Sequence, residues 1–281
     1  MAPAASRILI SRIPCGETRA LSHQKVLWLL LAGFVALTFA LSVLNPIWEA
    51  PDEPAHFQYV QLLAQRHQLP TLNEDLPGLT AADRQELHQP PLFYLLAAPL
   101  VLPVNLNSNP SWLLNPYFTW PNHPLRNGIA VHMVAEQWPF HGQVLGVHLM
   151  RLTSVLLGAA TVLVVYLIAV HIGLGSAFAL LGASIAALTP AFFISSSAID
   201  NDNAAILCSS VTLLSALVTL RQKRRQWLGF ASFGACTGLA LLSKNDALFL
   251  LPVGALLAAV VAIRDCLGLS SWYAVKRAAL H

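Results

Sequence analysis

Six long runs of the sequence carry no charged residue, and these runs constrain the fold more than any other feature. They cover residues 26–44, 152–170, 177–194, 204–220, 227–242 and 247–263. A helix rises about 1.5 Å per residue, and the hydrocarbon core of a bilayer is about 30 Å thick. Uncharged runs of this length are typical of membrane-spanning helices. The sequence therefore predicts an all-α integral membrane protein with six transmembrane helices.

The composition supports this prediction. Hydrophobic residues make up 56% of the 281 residues, charged residues only 10%, and the mean hydropathy is +0.61. Soluble domains carry about 25% charged residues. These values exclude a soluble globular domain, a disordered chain and a nucleic-acid-binding protein, so no nucleic-acid partner is expected. Within the fifth run, Gly234 and Gly238 have the GxxxG spacing that indicates close helix packing.

A seventh apolar run, residues 92–102, lies between Pro91 and Pro103. It would form about 17 Å of helix, too short to span. Cytoplasmic loops collect Lys and Arg, and the charge distribution supports the exclusion of this run. With the N-terminus inside and six spans, eleven of the 16 basic residues are cytoplasmic and eleven of the 13 acids are outside. Counting residues 92–102 as a span would place the basic cluster at 221–225 outside.

This topology divides the chain into three parts. Residues 1–25 are predicted as a cytoplasmic basic arm, and residues 26–263 as the transmembrane domain, with a first outer loop at 45–151. Residues 264–281 are predicted as a basic cytoplasmic tail, truncated relative to a longer protein. The first apolar run lacks a small-residue cleavage site behind it, which favours an uncleaved anchor over a signal peptide. We expect a multi-pass protein of a bacterial inner membrane with a cytoplasmic N-terminus.

The first outer loop begins with the most informative segment. Asp52 can cap a helix whose first turn contains Pro54, and helical spacing then places His56 on the same face as Asp52 and Glu53. This predicts two carboxylates and an imidazole at one helix end. A capped surface helix with solvated charges is the alternative.

Two interfacial amphipathic helices are predicted in this loop. A second helix can begin at Pro90 or Pro91, after His88 and Gln89. In the first helix, apolar residues would face the outer leaflet while the polar side faces the headgroups. These membrane-facing residues are predicted to be Phe57, Tyr59, Val60, Leu62, Leu63 and Ala64.

Together, the two segments carry a family resemblance. The run from Pro51 to His56, followed by His88-Gln89-Pro90-Pro91, resembles the GT-C superfamily of integral membrane glycosyltransferases, particularly its family-39 or ArnT-like branch. Three later features are similar to the same superfamily. They are Arg151-Leu152 opening the second span, Asn201-Asp202-Asn203 before the fourth, and Ser243-Lys244 after the fifth. The resemblance extends over residues 26–263, the N-terminal portion of a typical relative.

The resemblance implies transfer of a sugar from a polyprenyl-phosphate donor to a lipid, glycan or protein acceptor at the outer membrane face. It implies that Asp52, with Glu53 beside it, is the catalytic carboxylate. In an inverting transfer, such a carboxylate takes the proton of the acceptor hydroxyl. Substrate-binding roles are implied for His56, His88, Gln89, Arg151, Asp202 and Lys244.

A cation must stabilise the departing phosphate, and the sequence offers two candidates. Arg151 and Lys244 both lie at predicted outer ends of spans. Arg151 is preferred because a guanidinium can bind a phosphate through two hydrogen bonds. Snorkelling anchors are the alternative for each residue. Relatives usually have Lys or His directly before the Pro-Pro pair, whereas this chain has Gln89 preceded by His88.

The pair Asp200 and Asp202 raises a metal hypothesis, because hard divalent ions prefer several oxygen ligands. A helix cap with a solvated neighbouring acid is the alternative. Some GT-C enzymes use a metal and others do not, so the resemblance requires no cofactor. The alternative to a glycosyltransferase is a non-catalytic membrane protein that binds or transports polyprenyl lipids.

Overall fold

The structure is a computed structural model that describes residues 15–50, 52–71, 87–107, 115–118, 128–222 and 225–268. Its helices are α1 (Cys15–Leu44), α2 (Glu53–Arg66), α3 (Leu92–Val101), α4 (Gly142–His171), α5 (Ser176–Leu188), α6 (Pro190–Ser195), α7 (Asp202–Arg221), α8 (Gln226–Leu241) and α9 (Leu250–Cys266). Short 3-10 helices cover Val134–Glu136 and Asn245–Phe249. The described part of the chain is all-α. Most of the predicted arm and tail lies outside it.

Four helices are long and apolar enough to cross a membrane: His23–Leu44, Gly142–His171, Asp202–Arg221 and Asn245–Cys266. They coincide with four of the six predicted spans. The predicted span at 177–194 is divided into α5 and α6. Proline has no backbone N–H and disfavours helical backbone before it, so Thr189 is extended (φ −65°, ψ 117°) and Pro190 starts α6. The predicted span at 227–242 forms α8, which has 16 residues.

The run predicted to be too short to span forms α3, a helix of 10 residues. It packs against α2 and α4. Phe93, Tyr94 and Val101 are buried in these contacts, whereas Leu95 and Leu96 are about half exposed on the opposite side. The helix is therefore part of the protein interior on one face only.

The predicted orientation of the first loop helix is wrong. Phe57, Tyr59, Val60 and Leu63 do not form an open membrane-facing surface but lie in the largest hydrophobic core cluster. Leu62 and Ala64, also assigned to that surface, pack against the same cluster while partly buried. α3 and α4 supply apolar partners for this face, and burial against protein removes the same apolar area from water as burial in lipid.

Two glycines mark close contacts between segments. A Cβ added at Gly158 would lie 2.5 Å from Ser196 Oγ, so the connection after α6 approaches the α4 backbone there. A Cβ at Gly229 would lie 2.5 Å from Thr219 Oγ1, where α7 and α8 touch. By contrast, Gly234 and Gly238 have no described atom within 4 Å of such a Cβ. The GxxxG spacing therefore marks no helix contact between the described residues.

Candidate active site

A cavity of about 310 Å³ opens where α2, the segment before α3, the α6–α7 connection and the turn after α8 meet. We call it the site cavity. It brings together residues that are far apart in the sequence and that the sequence singled out. The members of this set are Asp52, Glu53, His56, Gln89, Asp200, Asp202 and Lys244. His88 is exposed and does not line the cavity, and Arg151 is buried beside Glu53.

Two hydrogen bonds explain why these segments converge. The N–H of Leu92 donates to the carbonyl of Leu242 at 2.8 Å and joins the start of α3 to the end of α8. The N–H of Ile199 donates to Glu53 Oε1 at 3.1 Å and joins the α6–α7 connection to α2. All the lining residues therefore lie at one end of the helix bundle.

Glu53 and Arg151 form a fully buried ion pair beneath the cavity. Arg151 Nε and Nη2 each donate to a different carboxylate oxygen of Glu53 at 2.7 Å. The exposed fraction is 1% for the Arg151 side chain and 0% for Glu53. Such two-bond contacts between a guanidinium and a carboxylate have well-defined geometry as well as strength.

The remaining hydrogen-bonding groups of this pair are also occupied. Arg151 Nη1 and Nη2 donate to the carbonyls of Ser42, Asn45 and Pro46, so they hold the end of α1. Glu53 accepts two backbone N–H groups, from Trp48 and Ile199. All five N–H groups of Arg151 are thus used within the protein. The preference for Arg151 as the phosphate ligand is therefore revised.

Asp52 differs from its neighbour Glu53 in every respect that matters for chemistry. It occupies the predicted N-cap of α2, and Pro54 lies in the first turn, but its side chain makes no capping hydrogen bond. The residue is exposed and lines the site cavity. Within the described part of the chain, no hydrogen bond or ion pair engages its carboxylate. Its oxygens are therefore available to a substrate.

Lys244 lies across the cavity and pairs with Asp202. Its Nζ contacts Asp202 Oδ1, and Asp246 Oδ2 is 3.9 Å away. The exposed fractions of the Lys244 and Asp202 side chains are 26% and 42%. Burial acts to lower the pKa of Lys244, but the hydrogen bond to Asp202 and the charges of Asp202, Asp200 and Asp246 raise it overall. The ammonium group therefore stays protonated at neutral pH.

Asp200 is held inside the α6–α7 connection. One carboxylate oxygen accepts the Ser195 hydroxyl, and the other accepts the Asp202 N–H at 2.9 Å. Burial, together with the negative charge of Asp202, raises the pKa of the Asp200 carboxyl.

The predicted metal pair does not fit a divalent ion in this arrangement. Asp202 is paired with the Lys244 ammonium group, and both Asp200 oxygens already accept hydrogen bonds. No group of three or more His, Cys, Asp or Glu side chains capable of holding a metal occurs among the described residues. We therefore assign no chemical step to a metal.

Two tyrosines, Tyr59 and Tyr94, pack behind His56, which lines the site cavity. His56 is 4% exposed, and its Nδ1 lies 2.9 Å from the hydroxyl of Tyr94. The rings of Tyr94 and Tyr59 stack with centroids 3.7 Å apart, and the Tyr59 hydroxyl donates to the Gln89 carbonyl at 3.4 Å. This stack couples α2 to α3 and fixes the position of His56.

Sequence reasoning did not single out Asn201 as a ligand-binding residue. It lines the cavity and is 2% exposed, and its side-chain Nδ2 is buried without a hydrogen-bond partner among the described residues. A buried donor without a partner costs free energy unless a ligand or water satisfies it. Its position in the sequence between Asp200 and Asp202 could have indicated that Asn201 lies at the site. The amide is suited to bind a substrate oxygen.

Comparison with known proteins adds one finding. Residues 136–279, about half of the chain, match the family model described as dolichyl-phosphate-mannose-protein mannosyltransferase. This range contains Arg151, Asp200, Asp202 and Lys244, whereas Asp52, Glu53, His56, His88 and Gln89 precede it. No curated protein and no solved structure matches the chain.

Proposed function

The chain belongs to the dolichyl-phosphate-mannose-protein mannosyltransferase family, a GT-C family of membrane glycosyltransferases, and from this premise we propose that the site cavity is its active site. The family uses polyprenyl-phosphate-sugar donors. One observation carries the proposal: Asp52, a carboxylate without a partner in the described structure, shares a cavity with Lys244, a protonated amine from the family-matched region.

The proposed reaction is an inverting transfer with Asp52 as the general base. The acceptor hydroxyl oxygen attacks the anomeric carbon of the sugar while its proton passes to the Asp52 carboxylate. The bond between the anomeric carbon and the phosphate oxygen breaks, and the polyprenyl phosphate leaves with the electron pair. Asp52 later returns the proton to water. An exposed carboxylate in contact with a cavity suits this role better than a saturated buried one.

Lys244 supplies the positive charge that the departing phosphate requires. In the absence of donor, this ammonium group is paired with the Asp202 carboxylate. The phosphate of the sugar donor competes with Asp202 for the N–H groups of Lys244. Once the phosphate has displaced it, the Asp202 carboxylate can accept hydrogen bonds from hydroxyls of the sugar or the acceptor. The pair is partly exposed, so exchanging one anion for another costs little. Lys244 thereby replaces Arg151 as our candidate phosphate ligand.

Glu53 and Arg151 act as positioning residues in this proposal. Their ion pair connects α2 to α4, to the end of α1 and to the α6–α7 connection. It fixes Asp52, the adjacent residue, relative to Asp200 and Asp202. His56, Gln89 and Asn201 line the cavity between these groups and are placed to bind sugar hydroxyls. His88 lies outside the cavity lining, and the proposal assigns it no contact with the substrate.

The proposed topology follows from charge. Six membrane crossings, with α5 and α6 forming one and α8 another, give a cytoplasmic N-terminus and place the site cavity at the outer face. The basic residues then collect inside, as the positive-inside rule requires. The proposed location is a bacterial inner membrane, and the acceptor is a lipid, glycan or protein hydroxyl.

The test is a transfer assay with the purified chain in lipid bilayers. Radiolabelled polyprenyl-phosphate mannose serves as the first donor, because the family description names mannose. We expect Asp52→Asn to lower the rate of sugar release at least about a hundredfold, the usual contribution of a general base, without a change in melting temperature. The matched control is Asp246→Asn, which removes an 84% exposed carboxylate near Lys244; its rate should stay within about twofold.

Two outcomes would overturn the proposal. Equal turnover by the Asp52→Asn variant would refute the assignment of the base. Tight binding of the donor without turnover, across lipid, glycan and peptide acceptors, would favour a non-catalytic polyprenyl-lipid-binding protein instead.

A further inference from the structure

A second and larger cavity lies at the opposite end of the helix bundle. It is a groove of about 740 Å³ between α7 and α8, whose mouth is formed by Gln222 and Arg225 in the turn between these helices. Asp202 begins α7 at the site-cavity end, and α7 has 20 residues. The mouth at Gln222 is therefore about 30 Å along α7 from Asp202, and the groove extends back towards the site cavity as far as Val211, about 14 Å from Asp202.

The walls of the groove are apolar and are formed by Val211, Leu214, Val218 and Leu228. Three hydroxyl residues also line it, Ser215, Thr219 and the exposed Ser232, and the hydroxyls of the first two are already satisfied. Ser215 and Thr219 donate to backbone carbonyls three and four residues earlier in α7, at 2.8 and 2.7 Å. Apart from the exposed Ser232, the walls of the groove therefore suit a hydrocarbon chain.

The groove has a fixed shape because α7 and α8 touch beside it. Any Cβ at Gly229 would lie 2.5 Å from Thr219 Oγ1, and Thr219 is fully buried. The helices cannot close further at this point. The packing of α7 against α8 therefore keeps the groove open.

The mouth carries positive charge. Arg225 is the charged residue in the described lining of the groove. Arg225 has a left-handed backbone (φ 58°), which is costly for a residue other than glycine and is more common where function requires the side chain. It precedes the first N–H groups of α8, which have no side-chain cap. Their partial positive charge adds to that of the guanidinium.

An acid, Asp265 on α9, lies at the same end of α8 as Arg225. Asp265 accepts hydrogen bonds from Arg264 at 2.9 Å and from Gln226 at 3.2 Å. Asp265 therefore connects α9 to the first residue of α8, next to Arg225. Trp227, 68% exposed beside the mouth, has the amphipathic ring that is enriched at membrane interfaces.

We propose that this groove binds an anionic phospholipid from the leaflet at the basic end of the bundle. The phosphate contacts Arg225 and the Gln222 amide, and one acyl chain lies along the apolar walls. An apolar cleft whose mouth holds Arg225, at the opposite end of α7 from the site cavity, has the polarity of a phospholipid from headgroup to tail. This inference needs only the membrane location of the chain and is independent of the proposed sugar transfer.

The test measures lipid retention. The purified chain is equilibrated with vesicles containing equal amounts of phosphatidylglycerol and phosphatidylcholine, and lipids that stay bound are counted by native mass spectrometry. We expect one phosphatidylglycerol per chain, and Arg225→Asn to lower its retention about tenfold, as expected for the loss of a charged hydrogen bond. Asparagine tolerates the left-handed backbone, so the turn should keep its shape.

Two further variants separate a site from general surface charge. Arg221→Gln removes an exposed charge from the same basic cluster, but Arg221 does not line the groove, so retention should stay within about twofold. Ser232→Trp fills the groove from an exposed position and should remove retention with every charge intact. Equal retention of both lipids, equal effects of Arg225→Asn and Arg221→Gln, or full retention by Ser232→Trp would overturn the proposal.

Discussion

The Glu53–Arg151 and Asp202–Lys244 ion pairs lie at the same end of the bundle, and they differ in burial and in the number of partners that hold them. The Glu53–Arg151 pair is fully buried, and every N–H group of its guanidinium donates within the protein. The Asp202–Lys244 pair lines the site cavity, and its two side chains are 42% and 26% exposed. Both join a carboxylate to a cation across helices, yet only the second can exchange partners.

This contrast separates structural from chemical roles for residues of the same type. Breaking a buried pair leaves a charge without a partner and is strongly destabilising. A partly exposed pair contributes little to stability, so its members remain available to a charged substrate. From this we expect substitutions in the first pair to act on folding and substitutions in the second to act on turnover.

The largest effect is expected from Arg151→Met. It leaves Glu53 buried without its counter-ion and should cost about 3–5 kcal/mol of stability. Thermal melting of the purified protein, followed by loss of helical circular dichroism, measures this cost. Arg221→Gln, which removes an exposed arginine, is the control and should melt like the wild type. A normally folded Arg151→Met variant that fails only to bind donor would restore Arg151 as the phosphate ligand.

The next largest effect is expected from Lys244→Met. Removing the cation that faces the leaving phosphate should lower kcat about a hundredfold or more. Stability should change by less than about 1 kcal/mol, because the pair is partly exposed. Lys244→Arg preserves the charge and should recover part of the rate. The assignment fails if Lys244→Met melts early but, once folded, turns over at the wild-type rate.

Asp202→Asn sharpens the comparison by acting on the competing anion. Because the donor phosphate no longer displaces a carboxylate from Lys244, KM for the donor should fall, by up to about fivefold. The rate constant kcat should fall at the same time if the freed carboxylate accepts from substrate hydroxyls. A KM that rises would show that Asp202 does not compete with the phosphate.

The smallest effect is expected from Asp200→Asn, and it depends on pH. The folded pKa of Asp200 is raised by burial and by Asp202, so its contribution to stability is greatest at acid pH and is lost as the pH rises through that pKa. The variant should therefore melt a few degrees above the wild type at neutral pH. This advantage should vanish on acidification towards the pKa of a solvated aspartate. A constant difference across the pH range would contradict the assigned cause.

Much of the site could be predicted because helix-end chemistry is local. The N-cap position of Asp52, the proline in the first turn and the short α3 between two prolines all follow from residue order. The charge distribution placed Asp52, Asp202 and Lys244 on one side of the membrane. Their arrangement around one cavity in the structure is consistent with that grouping.

The contacts that decide each residue's role could not be predicted. Glu53 and Arg151 are 98 positions apart in the sequence. Nothing in either segment indicates that the two side chains form a buried ion pair. The sequence pattern of α2 predicts an apolar face but not whether lipid or protein covers it, because both environments remove the face from water. The break in the third predicted span did have a local signal, since Pro190 lies within the apolar run.

The most direct test of the account is a structure of the Asp52→Asn variant with bound polyprenyl-phosphate sugar. The account predicts the donor phosphate at hydrogen-bond distance from Lys244 Nζ, about 2.7–2.9 Å, with Asp202 displaced and the anomeric carbon facing Asn in position 52. A phosphate bound away from Lys244, or a sugar turned away from position 52, would contradict it.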